Sequence, residues 1–81
     1  METDRRIAKK YFRYVLLKYR QKAGLTQAQL AERIDVSDGF IGSMETGHKW
    51  PNIDMLFRLA EALKVSPAEM IQTLDQERKK K

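Results

Sequence analysis

The sequence contains no cysteine and only one histidine among its 81 residues. Disulfide bonds and thiol nucleophiles are therefore excluded, and we expect neither a metal site nor a cofactor. No uncharged apolar run approaches the roughly 18 residues that a membrane-spanning helix requires, and the charged N-terminus is unlike a signal peptide. These absences predict a soluble cytoplasmic protein with no membrane partner.

Proline is also scarce, since it occurs only at positions 51 and 67, and no low-complexity stretch or internal repeat divides the chain. A chain of this length has room for one modest core, which predicts a single domain over residues 1–81. No phosphate-binding loop, dinucleotide fingerprint or cluster of nucleophile and base is present, so we expect that the protein is not an enzyme.

Charge, by contrast, is abundant and unevenly distributed, with 16 basic and 11 acidic residues and a net charge of +5. Residues 1–23 carry a net charge of +6, residues 24–66 a net charge of −2 and residues 67–81 a net charge of +1. A basic small domain favours an anionic partner, with nucleic acid first, although positive runs are also typical of a solvated surface.

Capping residues and apolar periodicity predict five helices and no strand, and hence an all-α, compact five-helix bundle. Gly24 ends the first helix, and Gly47 ends the third with a left-handed cap. In chain order, the five helices are predicted to begin at Asp4, Thr26, Ser37, Asn52 and Ser66.

Apolar residues at three- and four-residue spacing mark the predicted inward face of each helix. In the fourth helix this face includes Ile53 and Phe57, and in the fifth it includes Ile71. Ser66 and Glu69 have the spacing of a capping box, in which each side chain bonds the backbone N–H of the other residue.

The second and third helices are separated by only two residues, which requires a sharp turn. Ala31 is small enough to let the two helices cross closely, and Asp35 suits a left-handed conformation at the turn. Two short helices joined in this way have helix-turn-helix geometry.

The chain resembles the DNA-binding domain of phage repressors and Cro-like bacterial regulators, the lambda-repressor-like family, through the stretch RQKAGLTQAQLAERIDVSDGFIGSMETGHKWPNIDMLFRLAEALKVSPAEMI. The resemblance covers about residues 12–74, which leaves a basic N-terminal helix extension over residues 1–11 and a basic tail over residues 75–81 that we expect to be frayed. It implies a lambda-repressor-like fold and a homodimer that binds double-stranded DNA in the cytoplasm, in association with the nucleoid.

The resemblance also implies which residues meet DNA. Gln27, at the start of the second helix, matches a family residue that contacts the DNA backbone or a base edge. The outward face of the third helix and the loop that follows it match the other contacts. The resulting DNA-binding set is Thr26, Gln27, Ser37, Asp38, Gly39, Ser43, Thr46, His48, Lys49 and Asn52.

Arg20 and Glu45 match a family ion pair between the first and third helices. A guanidinium and a carboxylate can pair through two parallel hydrogen bonds. We expect this pair to be structural, because it would position the third helix rather than touch DNA.

The third helix is poor in the side chains that usually read bases. Residues 37–47, SDGFIGSMETG, contain no Arg, Lys, Asn or Gln, and Gly39 and Gly42 each cost helix stability. One interpretation is readout through Gln27, the serines, Asp38 and DNA shape. A second is weak binding by two copies on a two-fold-symmetric site, and a third is recognition of a protein partner through this helix.

The first helix is unusually basic at its start, where Arg6, Lys9, Lys10 and Arg13 cluster on one side by helical spacing. Three interpretations of this cluster are open: a solvated face, a second contact to phosphate, or an arm that binds a partner.

We therefore predict a sequence-specific transcriptional regulator of the repressor/Cro type that binds duplex DNA as a homodimer. The alternative is a protein-interaction module, such as an antitoxin-like or accessory subunit, that docks through the third helix with weak or no DNA binding. A protein partner that survives high salt would favour the alternative, because phosphate contacts weaken steeply with salt.

Overall fold

The computed structural model describes residues 6–80, which form five helices joined by short turns. The helices are α1 (Ile7–Lys22), α2 (Gln27–Ile34), α3 (Asp38–Glu45), α4 (Ile53–Leu63) and α5 (Pro67–Lys79). Because residues 6–80 contain no strand, the predicted all-α five-helix architecture is confirmed. The predicted start of the first helix, Asp4, lies outside the described residues, but Arg6 is not helical and α1 begins only at Ile7. The tail that we expect to fray from residue 75 instead continues α5 as far as Lys79.

The helices α2, α3 and α4 begin at the capping residues that the sequence predicts. In α2, Thr26 Oγ1 accepts a hydrogen bond from the Gln29 N–H at 3.0 Å, and Gln29 Oε1 accepts one from the Thr26 N–H at 2.9 Å. Ser37 and Asn52 each accept from a backbone N–H three residues on, at 3.1 Å and 2.7 Å. These caps satisfy N–H groups that a helix start leaves without an intrahelical partner, and so fix where each helix begins.

The predicted capping box of α5 is wrong. Ser66 does cap the helix, because its Oγ accepts from the Ala68 N–H at 3.0 Å. The Glu69 carboxylate instead accepts a hydrogen bond from the Tyr19 hydroxyl of α1 at 3.3 Å. A tertiary contact has therefore replaced the local one.

Within residues 6–80, left-handed backbone occurs at four turns. Asp35 has φ 60° at the turn between α2 and α3, as predicted, and Lys64 has φ 61° after α4, where no sequence signal predicts it. Gly24 (φ 73°) and Gly47 (φ 85°) follow α1 and α3, where a side chain would be strained.

The core lies where α1 crosses α3 and α5, and it continues to α2 and α4. Every helix contributes to it, and Ala31 is only 2% exposed, in agreement with its predicted place at a close helix contact. The largest fully buried side chains are Val15, Leu16, Leu30, Ile41, Met44, Leu59 and Met70.

Three apolar residues that the periodicity predicts to face inward lie on the surface instead. Ile53 and Phe57 of α4 are 67% and 57% exposed, and Ile71 of α5 is 46% exposed. The helix α4 packs against α2 and α5, and these contacts bury a narrower stripe than its apolar residues span. Ile53 and Phe57 are one helical turn apart, and together they form an exposed apolar patch on α4.

Two arginines link α2 to α4 through the carbonyls at their helix ends. Arg58 Nη2 donates to the Ile34 carbonyl, and Arg33 Nη1 donates to the Ala62 carbonyl at 3.2 Å. The last carbonyls of a helix lack intrahelical donors and carry partial negative charge, so each guanidinium stabilises the end of the other helix. The pair holds the C-terminus of α2 in place just before the turn into α3.

A hydroxyl pair links α1 to α5 inside the core. Tyr19 Oη lies 2.7 Å from Thr73 Oγ1, and the two residues are 4% and 6% exposed. Buried hydroxyl groups need such partners, because an unpaired one loses its hydrogen bonds to water without replacement.

We expect Tyr19→Phe to lower the free energy of unfolding by about 1–3 kcal/mol, because it leaves the buried Thr73 hydroxyl without this partner. The double variant Tyr19→Phe/Thr73→Val should lose less than the sum of the two single variants, since no orphaned hydroxyl remains. Urea denaturation measures the coupling, and strictly additive losses would contradict it.

Candidate nucleic-acid interface

A largely buried ion pair joins the end of α1 to the end of α3. Arg20 Nε lies 2.6 Å from Glu45 Oε2, and Arg20 Nη2 donates to Glu45 Oε1 at 2.9 Å. The two side chains are only 13% and 5% exposed. The hydrogen bond with Glu45 raises the pKa of Arg20 above its ordinary value, so the guanidinium remains charged.

The same two side chains also hold the chain between α1 and α2. Arg20 Nη1 donates to the Leu25 carbonyl at 2.7 Å, and Gln27 Nε2 donates to Glu45 Oε1 at 2.9 Å. One carboxylate of α3 therefore receives donors from α1 and from the first residue of α2. We call Arg20, Glu45, Leu25 and Gln27 the Arg20 network, and it fixes how α3 lies relative to the start of α2.

Gln27 extends from α2 to the surface of α3 at Gly42. A Cβ atom placed on Gly42 would lie 3.5 Å from Gln27 Oε1, which is ordinary van der Waals contact. The side-chain amide of α2 therefore lies against a face of α3 that has no amide side chain of its own. The sequence predicts Gln27 as a contact residue but gives no sign of this placement.

Neither glycine of α3 is required by the fold. Gly39 and Gly42 lie within the helix, and their backbone is not in the left-handed region. A Cβ atom on Gly39 would meet Ser37 Oγ at 3.9 Å, which leaves ample room. Alanine would fit at both positions and favours a helix by up to about 1 kcal/mol each. The two glycines thus leave one face of α3, which we call the bare face, without side chains of its own, and they lower the stability of the helix.

Several predicted site residues also have a role in the fold. Thr26, Ser37 and Asn52 are helix caps, so their side-chain oxygens accept backbone N–H groups. Asp38 is exposed in the first turn of α3, where its carboxylate is favoured by the helix dipole.

The turn after α3 folds back on the helix end. The Ser43 carbonyl accepts from the His48 N–H at 2.9 Å and from the Lys49 N–H at 3.1 Å. Thr46 Oγ1 donates to the Gly42 carbonyl at 3.1 Å and lies 2.8 Å from His48 Nδ1. The side chains of His48 and Lys49 are exposed, so the turn presents them next to α3.

Residues of α1 that sequence reasoning left without a definite role also reach this turn. Arg13 Nη1 donates to the Thr46 carbonyl at 3.4 Å, and Lys9 Nζ lies 5.8 Å from the centre of the Trp50 ring. Trp50 is 44% exposed, so part of its side chain remains accessible to solvent beside the lysine. The basic spacing of the first helix was the only sequence signal for these contacts.

No group of His, Asp or Glu within residues 6–80 is placed to bind a metal ion. Over the same residues, no helix combines the length and the apolar character needed to cross a bilayer.

A family model described as helix-turn-helix matches residues 16–70, and the chain therefore belongs to this helix-turn-helix family. The chain is similar to an uncharacterised HTH-type transcriptional regulator of Sinorhizobium fredii, with 35% identity over 57 residues that cover 70% of this chain and 74% of that protein. It is also similar to one of Methanothermobacter thermautotrophicus, with 35% identity over 65 residues that cover 80% of this chain and 94% of that protein.

Among solved structures, the fold is similar to that of the restriction-modification controller protein C.Esp1396I, seen as a tetramer in complex with its natural 35-base-pair operator. The TM-score is 0.79 at 24% identity, and the match covers 96% of this chain and 100% of that chain. The family match includes α2, α3 and both members of the Arg20–Glu45 pair. The predicted family resemblance is therefore confirmed.

We expect Arg20→Ala to lower the free energy of unfolding by about 2–4 kcal/mol, because it leaves the Glu45 carboxylate buried without its cation. Arg78→Ala is the matched control. Arg78 pairs with Asp75 at 2.7 Å, but both side chains are over 40% exposed (44% and 43%), so its loss should change stability little. Thermal unfolding of both variants tests the contrast, and equal losses would show that the Arg20 pair is not structural.

Proposed function

We propose that this helix-turn-helix transcriptional regulator binds specific sequences of duplex DNA as a homodimer. In this proposal α3 enters the major groove and the start of α2 crosses the sugar-phosphate backbone. The observation that carries it is the bare face of α3, with Gly39 and Gly42 unneeded by the fold and the Gln27 amide lying over the second of them. We expect the protein to act in the cytoplasm, on DNA of the nucleoid.

A helix face without side chains offers another way for α3 to contact bases, although α3 lacks the side chains that usually read them. Without a side chain at Gly39, the helix backbone can approach base edges closely there, while Gly42 lies under the Gln27 amide. Beyond the hydrogen bond that its Nε2 donates to Glu45, the Gln27 amide retains a second N–H and its Oε1 for a base, and amides pair well with adenine in the major groove. Asp38 can accept from the amino group of a cytosine, and Ser43 can bond either kind of base. DNA shape supplies the remaining specificity.

Contacts to phosphates would come from the helix starts and the turn after α3. The N-terminus of α2 carries partial positive charge and backbone N–H groups, which suit a phosphate. Lys49 and His48 are exposed beside α3, and Lys49 adds a full charge. Such contacts hold the register of the protein on the duplex without reading its sequence.

The apolar patch on α4 is the surface that we propose for the homodimer. Ile53 and Phe57 are the most exposed large apolar side chains among residues 6–80. They follow directly after Asn52 and the turn with Lys49, so a second copy bound there would lie beside the DNA-binding face. Two copies would then present two α3 helices to one two-fold-symmetric site. The structural neighbour C.Esp1396I is itself an oligomer on its operator.

Selection from a pool of random duplexes tests the function directly. We expect enrichment of a two-fold-symmetric site, with log affinity falling linearly as log salt rises. Gly39→Ala should raise the free energy of unfolding by up to about 1 kcal/mol, because alanine favours a helix more than glycine does. It should nevertheless weaken binding to the selected site, because its methyl group occupies the bare face. Gln72→Ala, an exposed change on α5, is the control and should leave DNA affinity unchanged.

If no sequence is enriched and bulk DNA is not bound in a salt-dependent manner, the proposal is wrong. If the Gly39→Ala protein binds the selected site with wild-type affinity, the bare face of α3 has no role in DNA binding and the proposal loses its main support. A stoichiometric protein partner that stays bound to α3 at high salt would instead favour the protein-interaction module.

The dimer surface has its own test. We expect Phe57→Glu to convert the dimer to a monomer in sedimentation equilibrium, because a charge would be buried in the apolar contact between copies. Affinity for the complete site should fall while affinity for one half-site is kept. Gln72→Glu adds the same charge to an exposed residue of α5 and should remain dimeric. A Phe57→Glu protein that is still dimeric would refute this surface.

A further inference from the structure

We propose that the start of α1 and the turn after α3 together form a second phosphate-binding site, which takes the DNA backbone beside the half-site read by α3. This inference rests on the proposed function and extends the DNA-binding surface beyond α2, α3 and their turn. The site is an open hollow of about 350 Å³. It is lined by Arg6, Lys9, Lys10 and Arg13 on one side and by Thr46 and Gly47 on the other.

Contacts between α1 and the turn hold the two sides of this hollow together. Arg13 spans them, since its Nη1 donates to the Thr46 carbonyl at 3.4 Å and its Nη2 donates to the Tyr14 hydroxyl at 2.8 Å. Arg13 also packs against Gly47, where a Cβ atom would lie 3.4 Å from Arg13 Cδ, at van der Waals distance. The hollow is therefore a defined place between two elements rather than a row of separate surface charges.

The site lies next to the proposed DNA-binding surface. Lys9 lies over the ring of Trp50, which directly follows the exposed Lys49. A duplex carries a negative charge about every 1.7 Å along its axis. Several cations that lie one after another in space therefore suit a continuing phosphate backbone better than they suit a single small anion. A duplex bound at α3 and Lys49 would bring its next phosphates toward the start of α1.

The cations of this hollow lie at the N-terminus of α1. The first turn of α1 contains no acidic residue, and no side chain caps its start at Arg6. A helix N-terminus carries partial positive charge, so basic residues there are unfavourable and a negative group is favourable. A phosphate bound here would be attracted by the side chains and by the helix dipole together.

The salt dependence of DNA binding measures this site. Removing a phosphate contact lowers the slope of log affinity against log salt by about 0.9 for duplex DNA. We expect Arg6→Gln/Lys10→Gln to lower the slope by roughly 1 to 2 and to weaken binding at low salt, with the same selected sequence. The control Lys18→Gln/Lys22→Gln removes the same charge from exposed residues nearer the other end of α1 and should change the slope much less.

Phosphate ethylation on the selected duplex locates the contact. In the wild-type protein, ethylation of one or more phosphates outside the half-site should interfere with binding, and this interference should be absent in Arg6→Gln/Lys10→Gln. An unchanged slope, or an equal change in the control, would overturn the second site while leaving the proposed function intact. Absence of salt-dependent binding by the wild-type protein would instead refute the proposed function itself.

Discussion

The pairing of Arg20 with Glu45 is the constraint on which the candidate interface depends. Three guanidinium nitrogens of Arg20 are used, two by the carboxylate of α3 and one by the carbonyl that precedes α2. Either charge, left unpaired in this largely buried place, would lower the stability of the fold. The helices α1 and α3 therefore cannot shift independently without losing the pair. The arginines that join the ends of α2 and α4 restrain the opposite end of α2. With the hydrogen bond from Gln27 to Glu45, these contacts fix the position of α2 relative to α3.

Gln27 connects this structural network to the proposed chemistry. It donates to Glu45 with one part of its amide while the other part lies against Gly42. A side chain held at one end is already ordered before DNA arrives, and less entropy is lost when it forms a contact. The absence of long polar side chains from α3 is therefore not the absence of a reading group. The reading group comes from α2, and it lies on the face of α3 where Gly39 and Gly42 have no side chains.

The sequence predicts the helices, most caps and the Arg20–Glu45 pair, because these follow from local spacing or from the family pattern. It does not predict that Glu69 accepts from Tyr19, since a contact between α1 and α5 depends on how the helices pack. Periodicity places Ile53 and Phe57 in the core because it marks an apolar stripe without showing how wide the covering neighbours are. The placement of Gln27 and the hollow beside α1 are likewise products of tertiary geometry, for which the sequence supplied only residue types and charge.

An amide titration by nuclear magnetic resonance, with the isotope-labelled protein and its selected duplex, tests the central claim most directly. We predict that the largest shift changes fall on residues 37–43, on the start of α2 and on the side-chain amide of Gln27, and that they fade as salt is raised. Largest changes confined to α5, with the signals of α3 and Gln27 unmoved, would contradict it.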